Sequence, residues 1–166
     1  MTEELRVLVI SHGHPSLSLG GGEIASHNLH KGLNALAGIK SVYLARVGSP
    51  TPRHAGTALM SLRQSASDIL FHSDDFDHFY LSNRNTDDIR RDLVRFVRDI
   101  NPHVVHFHHI LGLGLEALYA IREARNVERV TTQVINRRRT PTPSRKPARM
   151  RATTPAPAAH PGRRRS

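Results

Sequence analysis

Short apolar runs alternate along this chain with segments whose apolar residues recur at helical spacing. Residues 5–10 are apolar and rich in β-branched side chains, which predicts a first strand buried on both faces, as in parallel sheets. Residues 11–22 form a predicted glycine-rich loop. Glu23 then opens a predicted helix, where an acidic residue suits the positive end of the helix dipole.

The first predicted helix is followed by a second strand. Its apolar residues recur at spacings of four, four and three, which indicates one helical face made of Ala25, Leu29, Leu33 and Leu36. Gly38 is placed to stop the helix, and residues 42–45 predict the second strand. The N-terminal residues therefore predict a β-α-β unit with a glycine-rich first turn.

The clearest helical pattern comes later in the chain. Residues 48–56 predict a loop, and residues 59–70 fit a short helix followed by a strand. Thr86 is a good N-cap for an amphipathic helix that ends at Asn101 and Pro102. Its apolar positions follow helical spacing: Ile89, Leu93, Phe96, Val97 and Ile100.

The remaining elements complete an alternating order. Residues 103–108 and 129–135 predict strands, and residues 115–125 predict a helix between them. Alternation of this kind predicts an α/β fold, a Rossmann-like parallel sheet with helices on both faces. Ligands of such sheets bind beyond the carboxyl ends of the strands. That rim is predicted to consist of the loops at residues 11–23, 47–56 and 108–114.

Charge divides the chain into two parts. Residues 1–136 contain 14 basic and 14 acidic residues, whereas residues 137–166 contain 10 basic residues, no acidic residue and six of the ten prolines. A segment with so little apolar surface cannot offset its ordering entropy, so residues 137–166 are predicted to be a disordered basic tail. Residues 1–136 are predicted to be the folded domain.

Several classes of protein are excluded by composition. The chain contains no cysteine, which excludes a disulfide scaffold, an iron–sulfur protein and a thiol nucleophile. No apolar stretch is long enough to span a membrane, and the acidic N-terminus is unlike a secretory signal. We therefore expect a cytoplasmic protein. The arginines of the tail indicate nonspecific binding of nucleic-acid phosphates, without an aromatic residue to stack on bases. The alternative is that the tail has no selected function.

The glycine-rich loop is the first candidate site. Gly20, Gly21 and Gly22 let the backbone approach a ligand, and the helix opened by Glu23 presents unpaired N–H groups to a phosphate. The loop carries neither the dinucleotide-binding fingerprint nor a P-loop. The alternative interpretation is a flexible turn whose glycines only permit the chain to reverse.

Histidines form the second candidate site. Twelve occur in the chain, and alternation within the strand at residues 103–108 places His106 and His108 on one face. We expect no metal site there, since no carboxylate is nearby in sequence to complete one. His108 and His109 lie at the carboxyl end of that strand, where they can hydrogen-bond a hydroxyl-rich or phosphate ligand. The alternative is that both are covered or solvated histidines without a ligand.

Together these motifs resemble glycosyltransferase family 4. The strand at residues 6–10, the Gly20–Glu23 element and the segment Asn-Pro-His-Val-Val-His-Phe-His-His at residues 101–109 are similar in order and spacing to motifs of that family. The resemblance implies the N-terminal, acceptor-side half of a GT-B fold. It also implies transfer from a nucleotide-sugar donor with retention of anomeric configuration and without a bound metal or other cofactor. In that family Gly20–Gly22 would approach the donor phosphates or the acceptor, and His108 or His109 would lie near the cleft.

The sequence also departs from that family. His103 replaces the usual acidic residue, and residues 131–136 run directly into arginines where the family carries a histidine-containing element. We therefore expect a truncated N-terminal part without its donor-binding domain, inactive as this isolated chain, with a shifted reading frame as one explanation of the tail. The alternatives are a stand-alone phosphate- or nucleotide-binding module and a nucleic-acid-binding protein. Catalytic residues are not assigned, and peripheral association with a membrane stays open.

Overall fold

The computed structural model describes residues 4–52, 54–63, 65–74, 76–84, 86–124 and 129–132. The elements are the strands and helices β1 (Leu5–Ser11), α1 (Gly21–Asn34), β2 (Ile39–Val47), β3 (Leu59–Leu62), β4 (Ser65–His72), β5 (Phe76–Asp77), β6 (Ser82–Asn83), α2 (Thr86–Ile100), β7 (Val104–Phe107), α3 (Leu115–Glu123) and β8 (Arg129–Thr132). The predicted tail at residues 137–166 lies outside the described residues.

The main sheet has six strands in the order β3-β4-β2-β1-β7-β8. Five of them are parallel, and β3 pairs antiparallel with β4 at one edge. The order of the parallel strands reverses at β1, since the chain passes through β2 and β4 on one side of it and then β7 and β8 on the other. The predicted α/β class with a mostly parallel sheet is thus confirmed.

The two faces of the sheet are covered by different helices. Leu8, Leu44 and Phe107 face a buried apolar cluster that includes residues of α2 and α3. The alternate residues of the same strands, such as Val9 and Tyr43, face the opposite side, where Leu33 of α1 packs. Helices on both faces therefore follow from the two-residue period of the strands.

Helix α2 lies where it was predicted, with a start that differs by one residue. Thr86 is its first residue rather than its N-cap, the helix ends at Ile100, and Asn101 follows with a positive φ of 48°. The predicted apolar positions face the core, since Ile89, Leu93 and Val97 are buried while Phe96 and Ile100 pack against the same cluster.

Helix α1 differs from its prediction. The predicted apolar face is exposed over most of its length, because Ala25 is exposed and Leu29 and Leu36 are 38% and 56% exposed. The buried residues of α1 are instead polar: Glu23, Ser26, His27 and His30. The reason lies in the strands below, which present polar partners to this helix.

These partners are Ser11, Ser41, Tyr43 and Asp68. Ser26 Oγ lies 3.1 Å from Ser11 Oγ and 2.8 Å from the Tyr43 hydroxyl. His30 Nδ1 lies 2.9 Å from Ser41 Oγ, and burial of both groups is possible because each has a hydrogen-bond partner.

Three further predictions are corrected. Residues 59–62 form β3 rather than a short helix, because they pair antiparallel with β4 and complete a hairpin at the sheet edge. Helix α1 begins at Gly21 rather than Glu23, with Gly20 as an extended N-cap. Helix α3 ends at Glu123, just before the predicted end. Among the described residues, no helix is long and apolar enough to cross a membrane.

Candidate functional site at the strand-order reversal

The reversal of strand order at β1 creates the candidate site. The chain leaves β1 toward α1 and leaves β7 toward α3, so the loops after these adjacent parallel strands diverge at the carboxyl edge of the sheet. In open α/β sheets this crevice is where ligands bind. The loops contribute His12 and the glycine-rich turn from one side and His108 and His109 from the other.

The N-terminus of α1 is covered by its own Glu23 side chain. Ser18 Oγ donates to Glu23 Oε1 at 3.1 Å, and His12 Nε2 lies 3.3 Å from the same oxygen. A Cβ atom added at Gly13 would meet Glu23 Cγ at 2.9 Å, and one added at Gly20 would collide with the carboxylate. These two glycines therefore provide the space into which Glu23 folds back.

Three imidazoles stand beside this carboxylate. The rings of His12 and His109 are 4.8 Å apart between centroids, and a Cβ at Gly22 would contact His12 Cε1 at 3.0 Å. His108 is 4% exposed, and neither of its ring nitrogens has a hydrogen-bond partner among the described residues. Because buried polar atoms normally have partners, these nitrogens mark a place where a ligand can bind.

Hydrogen bonds and burial determine which nitrogens of these histidine rings can donate or accept a hydrogen bond. His109 Nδ1 accepts the Leu111 N–H at 3.0 Å, so the neutral His109 ring carries its proton on Nε2 and can donate it to a ligand. Burial lowers the pKa of His12, although the Glu23 carboxylate acts in the opposite direction. Burial and the neighbouring His109 also lower the pKa of His108. Neutral rings at these positions can both donate and accept hydrogen bonds at pH 7.

Arg46 is a site residue that the sequence analysis missed. It lies near the end of β2, and its side chain passes beside Gly48 and Gly112, where an added Cβ would meet guanidinium or Cδ atoms at 2.9 and 3.3 Å. One Nη2 hydrogen bond goes to the carbonyl of Ser73, while the buried Nε has no hydrogen-bond partner among the described residues. Nothing in the spacing of a lone arginine within an apolar strand indicates this role.

The structure brings the predicted site residues together. Gly20, Gly21, Gly22 and Glu23 lie at the start of α1, and the charge of Glu23 influences both His12 and His108. Outside the site, Asp77 at the end of β5 accepts the N–H groups of Phe79 and Tyr80, which closes a local turn.

A second cluster lies apart from this rim, between α1 and β4. It consists of His14, His27, His30 and Asp68. No sequence signal indicated it, because its members come from a loop, a helix and a strand.

Comparison with known proteins gave no relative: no family model, no curated protein and no solved structure matches this chain.

Proposed function

We propose that this chain is the acceptor-side domain of a retaining GT-B glycosyltransferase and that its rim binds a hydroxyl-rich ligand carrying phosphate. The observation that supports this most is the convergence of Glu23, the imidazoles of His12, His108 and His109, and Arg46 at the strand-order reversal. The motif at residues 101–109, which resembles glycosyltransferase family 4, contributes two of these imidazoles.

Each group suits a different part of such a ligand. The Glu23 carboxylate accepts hydrogen bonds from sugar hydroxyls, and neutral His12 and His108 accept or donate them. Arg46 provides the positive charge for a phosphate, through an Nε that has no hydrogen-bond partner in the described part of the chain. Because Glu23 already occupies the N-terminus of α1, the phosphate would approach from the side of Arg46 rather than at the glycine-rich turn.

Catalysis in this architecture would require a second domain. A GT-B enzyme holds donor and acceptor in one closed cleft, which makes the reaction effectively intramolecular. The developing charge on the departing nucleotide phosphate also needs donor-side cations. We therefore expect ground-state binding by this chain, and glycosyl transfer only when a donor-binding domain is joined to it.

Binding at the rim can be tested by NMR on the full chain with 15N-labelled histidine. We expect nucleotide diphosphates and nucleotide sugars to shift the ring signals of His12, His108 and His109. The exposed His54 and His78 serve as internal controls. Arg46→Gln should weaken the shifts caused by phosphate-bearing ligands. Equal shifts at His54 and His78, or no saturable shift at the rim, would contradict the proposed site.

A stand-alone phosphate-binding module is the second candidate, since the same rim supports it. An activity assay distinguishes the glycosyltransferase from the phosphate-binding module. The chain is fused to a donor-binding domain and tested with a panel of nucleotide sugars and acceptors. Turnover that depends on His108 and Glu23 would support the glycosyltransferase. Retained phosphate binding without turnover across the panel would favour the module instead.

A further inference from the structure

The cluster between α1 and β4 combines three imidazoles with one carboxylate in a buried position. His14, His30 and Asp68 are 1%, 3% and 6% exposed, and His27 is 9% exposed. His27 and His30 are three residues apart on α1, which places both rings toward β4. Asp68 comes from β4 and His14 from the loop after β1.

The ligand-type atoms of these residues are close to one another. His14 Nε2 and His27 Nε2 lie 3.5 and 3.2 Å from Asp68 Oδ2, and His30 Nε2 lies 3.2 Å from Oδ1. The donor atoms of His14, His27 and Asp68 all fall within 4.8 Å of one another. Tetrahedral zinc with bonds of about 2.0–2.2 Å separates its ligand atoms by about 3.3–3.6 Å, so the donor atoms that lie up to 4.8 Å apart must move closer to enclose an ion.

The surroundings orient the rings toward a common point. His30 Nδ1 lies 2.9 Å from Ser41 Oγ and can donate to it, while His30 Nε2 lies 3.4 Å from Asn34 Nδ2 and 3.3 Å from Ser67 Oγ, contacts that metal ligation would replace. His14 Nε2 makes no hydrogen bond among the described residues although the ring is buried. His14 Nδ1 accepts the Ser16 N–H at 3.1 Å, so ligation through Nε2 would move the ring proton to Nδ1 and break that bond.

Charge at the cluster comes from two groups of opposite sign. The Asp68 carboxylate lies within 3.5 Å of a ring nitrogen of each of the three histidines and attracts a cation. The positive charge of Lys31, which acts on both His14 and His30, opposes one.

An open cleft of about 560 Å³ leads to the cluster. It is lined by all four residues together with polar groups that include Lys31, Asn34 and Ser67. An ion can therefore reach the donor atoms from solvent without unfolding of the helix.

We propose that this cluster binds a divalent transition-metal ion of the zinc type, held by His14, His27 and Asp68, whose donor atoms lie close together, with His30 turning in from the side of Asp68 Oδ1 as the fourth ligand. Two or three imidazoles with one carboxylate are donors that suit zinc and are poor for magnesium or calcium. The ion joins the loop after β1, α1 and β4. Apolar side chains hold α2 against the sheet, whereas the buried face of α1 is polar. The metal ion would hold α1 against the sheet by joining it to β4.

The proposal is tested on the full chain without a histidine tag, stripped of metal with a chelator and titrated with Co2+ and then Zn2+. We expect one equivalent of Co2+ to give the intense visible bands of tetrahedral coordination, and Zn2+ to displace it. Zinc should raise the melting temperature, since an ion that binds only the folded state stabilises it. The Ser16 amide signal should shift when its bond to His14 is lost.

Substitutions show whether the metal ion binds at this cluster or at other histidines of the chain. His27→Gln and Asp68→Asn should abolish the cobalt bands, whereas the double variant His54→Gln with His78→Gln, at exposed positions, should keep them. Should a ligand variant fail to fold, Ser41→Ala gives a graded test, with affinity lowered about 10-fold through loss of the His30 contact. Bands that survive in both ligand variants, or no saturable tetrahedral spectrum in the unaltered chain, would overturn the proposal and leave a hydrogen-bonded histidine–aspartate network.

Discussion

The carboxylate of Glu23 occupies the helix N-terminus at which a phosphate would otherwise be expected. It can do so because Gly13 and Gly20 carry no Cβ, and because Ser18 and His12 hold its oxygen. The conformational freedom of glycine is not the reason at Gly20, whose φ of −143° any residue can adopt. Gly20 and Gly21 therefore have different structural roles: Gly20 leaves space for the Glu23 carboxylate, whereas a side chain at Gly21 would meet no atom within 4 Å.

We predict opposite effects for alanine at two adjacent glycines. Gly20→Ala should lower the free energy of unfolding by about 1 kcal/mol, because the new methyl group displaces Glu23 from Ser18 and His12. Gly21→Ala meets no atom within 4 Å and should raise stability by up to about 1 kcal/mol through helix propensity. Urea denaturation of both variants measures this. Equal effects of the two substitutions would contradict the proposed packing of Glu23.

Buried histidines predict a loss of stability in mild acid. Burial lowers the pKa of His14, His30 and His108 below the ordinary value of about 6.5. The unfolded chain therefore binds protons that the folded chain does not, so the stability is complete above about pH 6.5 and declines as the pH falls from there toward the folded-state values. Each such histidine changes the free energy of unfolding by at most about 1.4 kcal/mol per pH unit.

Melting temperatures measured in chelator from about pH 8 to about pH 5 test this dependence. His30→Gln should reduce the slope, while His78→Gln, at an exposed position, should leave it unchanged. A melting temperature that stays constant down to about pH 5 would show that the folded chain accommodates these protons.

Helices α1 and α2 show what apolar spacing can and cannot predict. Both carry apolar residues at helical intervals, yet Leu93 of α2 is 1% exposed whereas Leu36, just after α1, is 56% exposed. The apolar pattern identified both helices, but the face that α1 buries depends on Ser41, Tyr43 and Asp68 in strands that the spacing of the helix does not reveal. Long-range polar partners, rather than local propensity, decide which face of α1 is covered.

A pair of identical substitutions tests this difference. Leu93→Ala should cost about 2–5 kcal/mol of stability, because it leaves a cavity in the core beside Leu44 and Val97. Leu36→Ala should change the stability by less than about 0.5 kcal/mol, since the side chain is largely in solvent. Chemical denaturation of the two variants gives the comparison. A large loss for Leu36→Ala would mean that the apolar face of α1 is covered.

The fold was more predictable than the site. Alternating strands and helices indicate the α/β class, because β1 and β8 show β-branched runs and α2 shows its full period. The β3–β4 hairpin was missed because β3 is a four-residue edge strand, with three half-buried residues and an exposed Ser61, and so carries too little pattern. Glu23 and His108 could be selected from motifs, whereas the pairing of His27 with Asp68 joins residues 41 positions apart and needs the folded sheet.

The unequal distribution of charge leads to the last prediction. All ten net positive charges arise from residues 137–166, since residues 1–136 carry equal numbers of basic and acidic residues. Binding of random-sequence duplex DNA should therefore be salt-sensitive and governed by the nine arginines and one lysine of residues 137–166, with each phosphate contact contributing about −0.9 to the slope of log K against log salt. Replacing Arg137, Arg138 and Arg139 by glutamine should make the slope shallower by up to about 2.7, which is three such contacts.

The matched control replaces three arginines of α2 by glutamine. Arg91, Arg95 and Arg98 are exposed, and the first two pair with Asp88 and Asp99 on the same helix. Because these neighbouring carboxylates already offset their charge, this control should leave the slope nearly unchanged. Fluorescence anisotropy over a salt series gives both slopes. A slope that becomes shallower in the α2 control but not in the tail variant would contradict the prediction and place the phosphate contacts on the folded domain.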